Sequence, residues 1–162
     1  MDSGTGLTAD GKRFVSRAQE MGIMIDMSHV SESGFWDTLA ISTRPVIAGH
    51  SNSKAVCDVP RNLTDAQFTA LIKQGGGAGI NLYPEFLGLG RDIDAVFAHI
   101  EHFMSLDGEG AVFLGCDLDG IEEPPKGING VQDLGKIYET LLRHNYSEQL
   151  RNNILRIMEK AL

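Results

Sequence analysis

Apolar residues along this chain fall into two kinds of stretch, one recurring near every 3.6 residues and one in short unbroken runs. From about Thr8 to Met21 the helical period holds, with Phe14, Val15, Ala18 and Met21 on one face, and Gly22 stops it. Ile23–Met27 then reads as a short, mostly apolar strand of the kind buried on both faces. Ser31 can cap a helix that groups Phe35, Trp36, Leu39 and Ala40. Pro45 leads into a second strand, Val46–Ala48, which ends in Gly49-His50. The clearest start signal comes next: Thr64 with Gln67 makes a capping box, and Leu63 with Phe68 occupies the positions of a hydrophobic staple. Gly75-Gly76-Gly77 closes that helix before a third strand, Ala78–Tyr83. Ile93, Val96, Phe97, Ile100 and Phe103 follow at helical spacing, and Ala111–Gly115 is the fourth strand. A Gly/Pro-rich loop over Asp119–Gly130 separates it from two closing helices. One carries Val131, Leu134, Tyr138 and Leu141, the other Leu150, Ile154, Leu155 and Met158.

Strands alternating with helices predict an α/β fold, a parallel sheet built from βαβ units. About four such units fit within the 162 residues, which read as a single domain over 1–162. A closed (β/α)8 barrel typically needs about 250 residues. Two architectures remain, a small open doubly wound sheet or half of a barrel.

Composition narrows the function more than the fold. The 14 basic against 22 acidic residues leave a formal net charge of −8, which disfavours a nucleic-acid partner needing a basic footprint. No apolar run approaches the roughly 20 residues of a membrane span, and Met1-Asp2-Ser3-Gly4 does not open a signal peptide. Cys57 and Cys116 form no close pair, so they read as small hydrophobes in a reducing, cytoplasmic setting.

Candidate chemistry collects where strands end. His29 lies just past the first strand and His50 just past the second; Asn81 and Tyr83 finish the third, and Asp117 and Asp119 follow the fourth. In parallel α/β folds, loops at the C-terminal ends of strands converge on one mouth. A single histidine there is usually a hydrogen-bonded structural group. Two at equivalent ends of successive strands, about 5 Å apart, can share one divalent ion. Asp117 could instead cap its loop, and Arg61 could brace a helix start or offer its fork to a carboxylate. His99, His102 and His144 sit on helical patterns or helix ends and read as solvated surface. The Gly75–Gly79 run follows a helix and precedes a strand, the reverse of a phosphate loop.

Five segments, in order and spacing, carry a resemblance to the membrane (renal) dipeptidase family of zinc metallopeptidases. Ile25-Asp26-Met27-Ser28-His29-Val30-Ser31 and Pro45-Val46-Ile47-Ala48-Gly49-His50-Ser51-Asn52 resemble the segments presenting two of that family's zinc histidines. Pro60-Arg61-Asn62-Leu63-Thr64-Asp65 is similar to its substrate-binding arginine loop. Gly79-Ile80-Asn81-Leu82-Tyr83 and Gly115-Cys116-Asp117-Leu118-Asp119-Gly120 are similar to its next two strand ends. The resemblance implies hydrolysis of dipeptides at a two-zinc site. His29 and His50 would bind the second ion, and Arg61 the substrate's terminal carboxylate. Asp117 would contact the amino group and shuttle the proton from water to the leaving amine.

The resemblance also implies groups that do not occur here. The family's His-x-Asp pair, bridging glutamate and a further substrate histidine would precede Met1. The chain is therefore expected to be the C-terminal half of a TIM-type (β/α)8 metallohydrolase barrel, with at most one weak zinc site and little activity alone. Unpaired edges at Ile23–Met27 and Ala111–Gly115, with inner-face residues such as Ile25, Val46, Ile47, Ile80 and Phe113, predict a homo-oligomer or a partner supplying the other half. The alternative is a non-catalytic open α/β module binding a small ligand or one metal ion.

Overall fold

The computed structural model describes residues 4–155. Seven α-helices and a 3-10 turn surround a parallel sheet: α1 (Ala9–Glu20), α2 (Glu32–Ile41), β1 (Ile47–Ala48), α3 (Asp65–Lys73), β2 (Gly77–Asn81), α4 (Pro84–Leu87), α5 (Ile93–Ser105), β3 (Val112–Cys116), the turn Val131–Asp133, α6 (Gly135–Arg143) and α7 (Glu148–Leu155). The sheet order is β1-β2-β3, all parallel, so each crossover passes through helix. Caps set the helix starts. Thr8 accepts from Gly11 N at 3.0 Å and Ser31 from Gly34 N at 3.1 Å, each satisfying a donor that the helix itself cannot. The Thr64/Gln67 capping box forms in both directions, and the staple residues Leu63 and Phe68 are both buried.

The expected first strand, Ile23–Met27, is reduced to one parallel bridge between Asp26 and Ile47. Met27 N donates to Ile47 O and Ile47 N to Ile25 O. The segment has β1 on one side only among the described residues, and turns bracket it at residues 21–22 and 28–29, so no longer ladder grows. Segment 25–27, β1, β2 and β3 nonetheless lie side by side in chain order. The core forms one cluster. Val46, Ala48, Ala78, Ile80, Val112 and Leu114 pack with Phe68, Leu71, Val96, Ile100 and Phe103 from α3 and α5, and Phe68 stacks on Phe103 at 4.1 Å.

Several faces differ from the sequence pattern. On α1, Val15, Ala18 and Gln19 are buried, while Phe14 is 70% and Met21 63% exposed. Gln19 is drawn in because its amide bonds the Thr43–Arg44 backbone. On α2, Phe35 is buried, Leu39 half-buried, and Trp36 and Ala40 exposed. Val131 lies in the 3-10 turn and is exposed, whereas Leu141 and Ile154 are buried. Met158 and the side chain of Leu155 lie outside the described residues. Of the inner-face residues expected to lack cover, Val46, Ile47 and Ile80 are buried; Ile25 and Phe113 are half-buried. α7 packs against β3. Among the described residues, no helix is long and apolar enough to cross a membrane.

Candidate functional site

His29, His50, Arg61, Asn81 and Asp117 do gather at one end of the sheet. His29 sits on a turn just past segment 25–27 and His50 just past β1. Their Nε2 atoms are 2.8 Å apart, with the rings tilted at 51°. Two nitrogens each about 2.0–2.1 Å from one zinc ion at the tetrahedral angle stand roughly 3.3 Å apart. The observed separation is shorter, so the rings would part slightly to share an ion, and 2.8 Å suits an N–H···N bond between complementary tautomers as it stands. His50 Nε2 is 3.9 Å from Asp117 Oδ2. Burial pulls the His50 imidazole below its ordinary value of 6.5, against the opposing carboxylates of Asp117 and Asp26. That favours the neutral ring, the form that ligates a metal. The donor chemistry fits a divalent ion, although no group of three or more His, Cys, Asp or Glu capable of holding one occurs among the described residues.

A bulge aims Asp117. Ile80 pairs with Leu114 and Asn81 with Cys116, so Gly115 is the extra residue. The bulge turns the chain, and Cys116 and Asp117 take φ of 21° and 62°, a sparsely populated region for residues with a Cβ. Asn81 Nδ2 donates to Asp117 Oδ2 at 3.2 Å and holds the carboxylate over the strand ends. Gly115 is required at the bulge because a Cβ there would run into the carbonyl of Gly49, which follows β1. Burial pushes the adjacent Cys116 thiol up to about 11, which keeps it a thiol.

Arg61 is half-buried in the loop between β1 and α3. Its guanidinium donates to the carbonyls of Ser28 and His50 and lies over the Phe86 ring, 5.4 Å from the centroid. A guanidinium has five N–H donors, so the fork keeps capacity for a carboxylate.

Asp26 was missed as a site residue by sequence reasoning. Its Oδ1 accepts from Ser28 N (2.9 Å), Ser28 Oγ (2.6 Å) and Gly49 N (2.9 Å), and Ser28 Oγ in turn accepts from His50 N at 2.9 Å. One carboxylate thus ties together the two turns that present His29 and His50. Gly49 is the partner signal, since a Cβ there would strike Asp26 Oδ2. His99 corrects the surface reading: it is 0% exposed, because both ring nitrogens find backbone partners in the interior. His102 is half-buried and bonds Asp65 Oδ1 at 2.8 Å, while His144 is exposed and stacks on Phe97.

Fold and rim together define a parallel α/β protein that carries its chemical groups at the C-terminal ends of the strands. The chain belongs to the membrane dipeptidase family (peptidase family M19), which matches residues 1–162. It is 37% identical over 160 residues to an uncharacterized Klebsiella pneumoniae protein in the pqqA 5' region, covering 95% of this chain and 59% of that protein. It is 32% identical to Dipeptidase 3 of Rattus norvegicus, covering 97% of this chain and 34% of that protein. A metallo peptidase from Rhodobacter sphaeroides, liganded with a phosphinate mimic of the dipeptide L-Ala-D-Ala, superposes with a TM-score of 0.90 at 34% identity; the match covers 99% of this chain and 46% of that one. The dipeptidase AC superposes with the same TM-score at 33% identity, over 99% of this chain and 48% of that one. The chain thus spans about a third to three fifths of the length of these curated relatives.

Proposed function

We propose that this chain contributes part of the active site of a zinc-dependent dipeptidase. The observation that carries the reading is the 2.8 Å approach of His29 Nε2 to His50 Nε2, with Asp117 Oδ2 3.9 Å from the same His50 nitrogen. His29 and His50 hold one zinc ion of a two-ion site. An ion held there would contribute Lewis-acid polarisation of the peptide carbonyl and activation of a water near neutral pH. Arg61, braced by the Ser28 and His50 carbonyls, directs its remaining donors to the terminal carboxylate of the dipeptide. Asp117 accepts the proton released by the attacking water and returns it to the leaving amine, while Asn81 holds its Oδ2 in place. The dipeptide mimic bound to the Rhodobacter sphaeroides metallo peptidase supports this substrate class.

In this reading, segment 25–27, β1, β2 and β3 are consecutive strands of a (β/α)8 barrel, of which the chain holds about half. Their chain order, their parallel pairing and the single mouth of chemical groups support it. Two histidines fall short of the three protein ligands usual for catalytic zinc, so the other ligands come from outside this chain. The 162-residue chain should therefore show no chelator-sensitive hydrolysis of a dipeptide such as L-Ala-D-Ala. Turnover that EDTA abolishes and zinc restores would show the chain's own ligands to be sufficient. Among the described residues, segment 25–27 is paired on one side only and Phe14, Met21, Ile23 and Trp36 are exposed; burying each is worth roughly 1.5–3 kcal/mol. The chain accordingly associates, as a homo-oligomer or with the missing half. Sedimentation at micromolar concentration checks this, and a compact monomer would favour the open binding module.

A further inference from the structure

Beneath the rim lies a second set of polar side chains that the proposed chemistry does not use. Asn52 and Asn62, which follow His50 and Arg61 closely in the chain, are buried. Asn52 Nδ2 donates to Asn81 O at 3.0 Å and to Phe86 O at 3.3 Å, and its Oδ1 accepts from Asn81 N at 2.9 Å. Asn62 Nδ2 donates to Phe86 O and to Cys57 O, each at 2.9 Å. His99 of α5 completes the set. Its Nδ1 accepts from Ser53 N at 3.1 Å, and a backbone N–H can only donate, so the ring proton must be on Nε2. Nε2–H then points at Leu87 O, 3.3 Å away, with the Phe86 carbonyl also within its reach.

These bonds have a direction. Both polar atoms of His99 reach out of its own helix, one to the loop that carries His50 and Arg61, the other to the segment that follows Asn81 and Tyr83. Phe86 is where this layer meets the rim. Its carbonyl collects donors from Asn52 and Asn62, next to the Leu87 carbonyl that meets His99, while its ring lies under the Arg61 guanidinium and edge-on to Tyr83 at 4.9 Å. Beyond that ring, the guanidinium is held only by the Ser28 and His50 carbonyls among the polar contacts described.

We propose that His99 is a positioning residue for Arg61, clamping Ser53 to the Phe86–Leu87 segment so that the arginine loop stays seated on the Phe86 ring. Its importance for catalysis rests on the reading of Arg61 as the carboxylate-binding side chain; the clamp itself concerns only where Arg61 sits. The test therefore uses no substrate. Phenylglyoxal, which modifies accessible guanidinium groups, is applied to the full chain and the rate at each arginine is read by mass spectrometry.

In His99→Ala, Arg61 should react about fivefold faster or more, the factor expected from losing one net hydrogen bond in the clamp. Arg44, whose guanidinium meets Gln19 O on the α1 side of the molecule, should keep its rate. His99→Asn keeps an acceptor for Ser53 and His99→Gln keeps a donor for the carbonyls, so each should restore part of the protection. An unchanged Arg61 rate overturns the proposal, as does an equal rise at Arg61 and Arg44, which would mark general loosening. Should His99→Ala fail to fold, the two half-replacements are judged against the wild-type chain by the same criterion. Failure of Arg61 to bind a carboxylate would leave this result unchanged, so the two readings fail separately.

Discussion

The rim of the sheet and the layer beneath it use the same side chains under opposite conditions. At the rim, His29 is exposed and His50 half-buried, and each turns its Nε2 toward the other. One layer down, His99 has both ring nitrogens committed to backbone groups and no contact with solvent. The asparagines divide similarly: Asn81 spends its Nδ2 on the Asp117 carboxylate, whereas Asn52 and Asn62 spend theirs on carbonyls. Neither residue type nor burial alone separates the two regions. Spare bonding capacity does. An imidazole with both nitrogens on main-chain partners has nothing left for a ligand, while one facing a second imidazole can trade that contact for a metal.

The strongest way to break this comparison is to remove a rim histidine. His29→Ala or His50→Ala should lower zinc uptake, followed by competition with a chromogenic chelator, to the level of the double variant; His99→Gln should leave it unchanged. Undiminished uptake by either rim variant would place the metal elsewhere.

Acid provides the next contrast. Burial depresses the His99 imidazole from an ordinary 6.5 to about 4. The folded state therefore takes up its proton less readily than the unfolded chain. Its contribution is fully present above pH 6.5 and is lost as pH falls through about 4, and the gap is worth about 3 kcal/mol. Urea unfolding at pH 7 and pH 4 should show a fall in stability of that order that is absent from His99→Gln. Equal acid losses in both proteins would show that other groups govern the decline.

Smaller effects mark what lies outside both regions. Thr64→Ala removes one half of the α3 capping box and should cost about 1 kcal/mol in the same unfolding assay, without altering zinc uptake. Leu89 is 99% exposed between two glycines of positive φ. Leu89→Ser should change stability by less than about 0.5 kcal/mol, and a larger loss would reveal a contact made on association.

Much of the framework was legible in the chain. Thr8, Ser31 and Thr64 announce three helices, and the expected strands Val46–Ala48, Ala78–Tyr83 and Ala111–Gly115 match β1, β2 and β3 to within a residue or two. His29, His50 and Asp117 stand out by their positions after successive strands and Arg61 by its loop, and the structure brings the four side chains to one end of the sheet. Asp26 was passed over because an acidic residue inside an apolar run carries no local sign of three waiting donors. His99 was misread because its helical spacing beside Ile100 and Phe103 does not say which neighbour of the stripe is drawn inward. The burial of Gln19 in place of Phe14 and Met21 has the same origin, a polar side chain claimed by a distant backbone.

By itself, then, the sequence determined where the capped helices begin, where β1, β2 and β3 lie, and which chemical groups follow them. Those signals act within a few residues, through caps, hydrophobic period and glycine breaks. Only the tertiary structure decided which polar groups are spare and which are spent. Asp26 meets Gly49 across 23 positions, and His99 meets Ser53 across 46. The bulge at Gly115 shifts the pairing of β3 with β2, and the approach of the Gly49 carbonyl, from a distant part of the chain, leaves no room for a Cβ there. A buried hydrogen bond is a contract between distant parts of the chain, enforced by the cost of leaving either partner unsatisfied, and no local pattern records it.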